Sequence, residues 1–80
     1  MVNWKEYITS DKEILTGKPI IKGTRISVEF ILERLANGWS DKQLIENYTN
    51  LTEDALKAVF SFTYDCLKDG MLFLKKEIRA

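Results

Sequence analysis

Three cations fall within eight residues, Lys18, Lys22 and Arg25, spaced around a glycine in Gly17-Lys18-Pro19-Ile20-Ile21-Lys22-Gly23-Thr24-Arg25-Ile26. Lysine and arginine side chains donate charge-assisted hydrogen bonds to carboxylates and phosphates, so this spacing is suited to holding an anion rather than to making or breaking bonds. The rest of the chain points the same way. It contains no His and a single cysteine, Cys66, so no imidazole is present to activate a Ser or Cys nucleophile and the usual zinc donor sets cannot be assembled. The acidic residues are scattered, without the spacing of a calcium loop, and Gly17 and Gly23 lack the neighbours of a phosphate-cradling or dinucleotide-binding motif. The expectation is a binding protein and not an enzyme, with no cofactor and no metal.

The elements that position those cations follow from local chemistry. Pro19 has no amide to donate and suits the start of a strand or a sheet edge. Ile20 and Ile21 are β-branched and favour extended backbone. Gly23 supplies the positive φ of a tight reversal, after which Thr24-Arg25-Ile26 is expected to run back beside Ile20-Ile21 as a small β-ribbon. Upstream, Val2, Trp4 and Tyr7-Ile8 are apolar anchors, with a short strand expected at Tyr7-Ile8-Thr9. Ser10-Asp11-Lys12-Glu13 reads as a turn, and Ile14-Leu15 as a return to apolar contact.

Downstream, one pattern recurs at three helix starts. Ile26-Ser27 is followed by Ile31, Trp39-Ser40 by Leu44, and Leu51-Thr52 by Leu56. Each combines a Ser/Thr N-cap with a hydrophobic staple, and Gln43 adds a capping box to the second. The spacing predicts helices over about 28–37, 41–48 and 53–69. The first is expected to bury Val28, Ile31, Leu32 and Leu35, with Gly38 as its stop. The second turns Leu44, Ile45 and Tyr48 inward. The third carries Ala55, Leu56, Val59, Phe60, Cys66 and Leu67 on a broad apolar side, with Gly70 as its stop. Leu72, Leu74 and Ile78, with Lys75, Lys76 and Arg79, suggest a short C-terminal helix.

Eighty residues make one domain. It divides into a β-rich arm (1–26), a trihelical core (27–70) and a C-terminal extension (71–80). The fold class is mainly α, and the helix lengths and the tight Gly38 turn fit either a helix-turn-helix or a plain three-helix bundle. A core this small is marginal alone, which makes a homodimer the expected state. The lone cysteine and the absence of a signal peptide or a long apolar run lead to the expectation of a cytoplasmic protein off the membrane.

The decad from Gly17 to Ile26, followed by Gly38-Trp39-Ser40 and Tyr48-Thr49-Asn50-Leu51-Thr52, closely resembles the bacterial domain of unknown function family 433. That pattern is G-x-P-x-I-x-G-T-R-I, an amphipathic helix, a Gly, and Y-P-x-L-T leading into the last helix. The resemblance covers roughly residues 7–64. Thr49 and Lys12 stand where the family commonly has Pro. The resemblance implies a homeodomain-like helix-turn-helix behind a short β segment. It also implies a role as an antitoxin of the VapB kind, encoded beside a toxin-like partner of the PIN nuclease type.

Charge and apolar surface bear on what is bound. Residues 1–26 hold five Lys/Arg against three Asp/Glu and residues 71–80 three against one, whereas 27–50 and 51–70 each hold two against four. The third helix opens Thr52-Glu53-Asp54, with Lys57 as the cation of its first turns, a poor start for a helix entering a phosphate-lined groove. The candidate DNA contacts are therefore Lys18, Lys22 and Arg25 on the ribbon, with Lys57 beside them and the DNA upstream of the protein's own gene as the target. In the alternative, Lys18 and Lys22 are solvated and Arg25 pairs with Glu29 or Glu33. Phe30, Phe62, Tyr64, Leu72 and Phe73 fall outside the predicted core stripes and are the candidate protein interface. The functional expectation is a VapB-like antitoxin or small transcription regulator, and its rival is a protein-interaction module that binds no DNA.

Overall fold

A computed structural model describes residues 1–70. The expected C-terminal helix, with Leu72, Phe73, Lys75, Lys76 and Arg79, lies outside the described residues.

The chain opens with a single 3-10 turn at Trp4–Glu6, capped by the Asn3 side chain, and enters strand β1 at Ile8–Thr9. A second 3-10 turn at Leu15–Gly17 leads into β2 at Ile20–Ile21, and helices α1 (Val28–Ala36), α2 (Asp41–Asn47) and α3 (Glu53–Gly70) follow. The architecture is mainly helical, with three helices and one two-stranded antiparallel sheet.

The reversal at Gly23 forms as expected, with φ +77°, but the sheet is not the ribbon read from the sequence. The regular partner of β2 is β1, in the register Ile8 to Ile21 and Thr9 to Ile20. The returning segment contributes one bridge, Ile20 to Ser27, and the Ile21 amide donates to the Ile26 carbonyl at 2.9 Å. Ser27 has to leave the strand direction there, because its hydroxyl caps α1 by accepting from the Phe30 amide at 2.9 Å.

All three predicted helix starts form. Ser40 and Gln43 make the reciprocal capping box, and the Thr52 hydroxyl accepts from the Ala55 amide at 3.1 Å. The α1 stop is a Schellman turn. The Gly38 amide donates to Leu35, the Trp39 amide to Arg34, and Gly38 takes φ +93°. The α3 helix includes Gly70, the residue read as its stop.

The core joins Ile8 and Ile21 of the sheet to Val28 and Ile31 of α1, Leu44 of α2, and Leu51, Leu56 and Val59 around α3. The sequence misplaces several side chains. Phe60 and Leu67 are each 49% exposed and Cys66 is exposed, although all three were expected to face inward. The buried stripe of α3 runs through Ala55, Leu56, Ala58 and Val59; Phe60 falls outside it, and Cys66 and Leu67 lie beyond its end. Leu15 is 44% exposed rather than packed. In the opposite sense, Phe62 is half-buried, with Trp4 packed edge-on at 4.8 Å between ring centroids. The Trp4 indole N–H donates to Asp65 at 2.7 Å, so the amino-terminal arm is fastened to α3.

Leu44 is 0% exposed. Leu44→Ala is expected to cost about 2–5 kcal/mol through lost burial and the cavity left behind, read as a lower urea midpoint at unchanged m-value.

Candidate functional site

The candidate surface is built on β2. Pro19 precedes the strand, where its missing amide costs no ladder bond, and its carbonyl accepts from the Val28 amide at 2.9 Å. After Ile21 the chain reverses through Lys22-Gly23. The Thr24 amide and hydroxyl both donate to the Ile21 carbonyl, at 3.1 and 2.8 Å, and the Ile26 amide donates to the Thr24 hydroxyl. Lys22 and Arg25 project from this fixed turn and both are exposed.

Lys18 sits differently. Its ammonium donates to Glu29 of α1 at 2.7 Å. That hydrogen bond, then the lysine charge, holds the Glu29 carboxyl below its ordinary 4.5, with desolvation opposing. The sequence reading gave Glu29 or Glu33 to Arg25; the structure overturns this, since Glu29 faces Lys18 and Glu33 faces Arg34 at 3.4 Å. The reason is local. The Pro19–Val28 hydrogen bond brings Lys18 alongside the first turn of α1, where it meets Glu29, whereas Arg25 borders the same groove without reaching either carboxylate. Among the described residues Arg25 and Lys22 form no ion pair.

Lys18 and Arg25 border a groove of about 620 Å³ whose walls include Leu15, Thr16, Phe30 and Tyr48. Phe30 is a groove wall and not a free surface aromatic. It is half-buried, meets Tyr48 edge-on at 5.4 Å, and carries the Arg34 guanidinium 4.5 Å from its ring centre. Arg34 also lies 5.4 Å from the Trp39 ring, which stacks on Tyr48 at 6.2 Å. The opposite rim is strained: Leu15 and Thr16 take φ +50° and +56°, and Gly17 follows at +86°. Positive φ is costly for a β-branched threonine, and such conformations concentrate at functional sites. Gly17 was the sole signal of this turn in the sequence.

Lys57, grouped by sequence with the ribbon cations, stands apart from the groove. It lies on α3 in a separate hollow with Met1, Phe60, Ser61 and Tyr64. Of the expected protein-interface residues, Tyr64 is 51% exposed with the Lys68 ammonium 5.9 Å from its ring, while Phe62 is packed beneath Trp4. Phe60 and Leu67 join Tyr64 on the outer face of α3, and sequence reasoning missed both. Their three-and-four spacing was the available signal. Among the described residues no group of three or more His, Cys, Asp or Glu side chains is placed to hold a metal, and no helix is long and apolar enough to cross a membrane.

These features, a capped three-helix core behind a short sheet, define a small domain that presents surfaces. Residues 8–63 match the family described as "Protein of unknown function (DUF433)", and the chain belongs to that family. The chain is also similar to the uncharacterized protein y4eO of Sinorhizobium fredii (strain NBRC 101917 / NGR234), with 30% identity over 53 residues. That match takes in 66% of this chain and 24% of the relative, so the chain spans about a quarter of that protein's length. No solved structure matches.

The Lys18–Glu29 bond sets a pH expectation. A depressed folded pKa contributes stability that is present above the ordinary value and is lost as pH falls through the depressed one. In an NMR titration Glu29 should show a midpoint below 4.5, and Lys18→Met should return it towards 4.5. A midpoint that ignores the substitution would mean that the pair does not form in solution.

Proposed function

We propose that the chain is a non-enzymatic binding protein of the antitoxin or small-regulator kind, a cytoplasmic homodimer that uses its basic turn to contact DNA. The observation that carries this reading is the placement of Lys22 and Arg25. Both are exposed on a turn fixed by four local hydrogen bonds, and neither is neutralised by a carboxylate among the described residues. Cations held out on a rigid turn suit phosphate contact, which supplies much of the affinity of DNA-binding proteins. The three helices then act as a homeodomain-like helix-turn-helix scaffold whose last helix does not read bases. Its first turn carries Glu53 and Asp54, which suit the helix dipole and repel a phosphate-lined groove. Lys18, held by Glu29, contributes less than its position in the sequence suggests.

A second reading, a protein-interaction module without DNA binding, is favoured by the apolar outer face of α3 and by the groove between Leu15 and Phe30. A toxin-like partner of the PIN type fits that reading through the family resemblance.

Fluorescence anisotropy against the DNA upstream of the protein's own gene, at two salt concentrations and beside scrambled DNA, separates the two. Specific binding should fall steeply with salt, and Lys22→Ala with Arg25→Ala should flatten the log–log slope by about 2 for each chain bound. Equal, feeble binding to both DNAs would sink the DNA reading and leave the protein-interaction module.

A further inference from the structure

The outer face of α3 carries Lys57, Phe60, Tyr64 and Leu67, all exposed, on the side away from the buried Ala55, Ala58 and Val59. The steps between them are three, four and three residues, the spacing of alternating a and d positions in a coiled-coil seam. With Lys57 as a, the flanking e positions are Asp54, Ser61 and Lys68. We infer that this face packs antiparallel against the same face of a second copy of the chain, with Phe60 against the partner's Tyr64, Tyr64 against the partner's Phe60, and Asp54 paired with the partner's Lys68. The inference rests on the dimeric part of the proposed function and says nothing about DNA.

The charges select both the occupant and the direction. The first turn of α3 is acidic, with Glu53 and Asp54, and its last turn carries Lys68. In an antiparallel pair e positions face e positions, so the acid at one end of each helix meets the lysine at the far end of the other, twice by symmetry. The aliphatic stem of Lys57 covers the partner's Leu67 while its ammonium reaches solvent at the edge. A parallel pair does worse, since it stacks Lys57 on Lys57 and sets Lys68 beside Thr63, where no ion pair forms.

The area fixes the strength. Half-exposed aromatic and leucine side chains offer on the order of 100 Å² each, so with Lys57 the two stripes together bury roughly 600–800 Å², about half of a standard interface. Met1, 93% exposed and bordering the same hollow as Phe60 and Tyr64, adds to this. The expected association is therefore weak and concentration-dependent.

Sedimentation velocity over a concentration series tests the seam, with circular dichroism confirming that each variant is folded. The wild-type chain should pass from monomer to dimer. Phe60→Ala with Tyr64→Ala should abolish the dimer, and Asp54→Lys or Lys68→Asp should each weaken it about tenfold or more by setting like charges together. The double exchange, Asp54→Lys with Lys68→Asp, should restore the dimer to near wild-type strength. A monomer at every concentration, a dimer indifferent to Phe60 and Tyr64, or a double exchange that rescues nothing overturns the inference. Running the DNA titration on the same samples keeps the two readings apart. A seam dimer that ignores DNA defeats only the regulator reading, and a monomer that binds its upstream DNA defeats the seam and the dimeric state while leaving the DNA contact standing.

Discussion

The fold depends on a strand of two residues that is buried on both faces. Ile20 and Ile21 are 2% and 4% exposed, so neither side chain is left to water and every nearby backbone group has to find a partner within the protein. β1 supplies partners along one edge and the segment from Ile26 to Val28 supplies them along the other. That requirement joins the amino-terminal arm to α1 and fixes the turn between them. It also explains the composition of the motif. Proline stands where an amide is not needed, isoleucines stand where both side chains are buried, and glycine stands at the reversal, where φ is +77°.

Once this strand is in place, the cations around it take up distinct roles through geometry alone. Lys18 precedes the strand and is carried to α1, where Glu29 meets it. Lys22 and Arg25 follow the strand and are carried outward by the turn. An exposed ion pair such as Lys18–Glu29 contributes little stability. Its greater effect is on charge, because it leaves the net positive character of the surface with the two residues on the turn. The left-handed run from Leu15 to Gly17 is the counterpart on the other rim of the groove, where the chain accepts strain to hold Leu15 open to solvent.

How much of this could be read in advance divides by the range of the interaction. The helix starts were legible because caps and staples act within five residues, as Ser27, Ser40 and Thr52 each illustrate. The Gly38 stop was legible for the same reason. The pairing of β2 with β1 was not, since Ile8 and Ile21 carry no mark of each other, and the near hairpin partner at Ile26 looked sufficient. The burial of Phe62 depends on Trp4, 58 positions earlier in the chain, and no local pattern encodes that. Phe60 and Leu67 failed for a further reason. On a helix with apolar residues around much of its circumference, periodicity marks a face but does not say whether this chain or another covers it.

That ambiguity gives the outer face of α3 its interest. A helix that served the core alone would turn polar side chains to solvent at 60, 64 and 67, and substitutions there would be nearly free. Three large apolar residues at those positions instead expose a stripe that adds nothing to the core of this domain. The groove beside β2 and the hollow on α3 share no lining residue, so one can be occupied without rearranging the other. A domain of this size has too little interior to transmit much between them. It can hold two surfaces in a fixed relation, because the Trp4–Asp65 hydrogen bond and the β1–β2 ladder tie the arm at once to α3 and to the basic turn. Joining two bound partners at a set distance is what such rigidity allows, and it calls for neither a moving part nor a catalytic group.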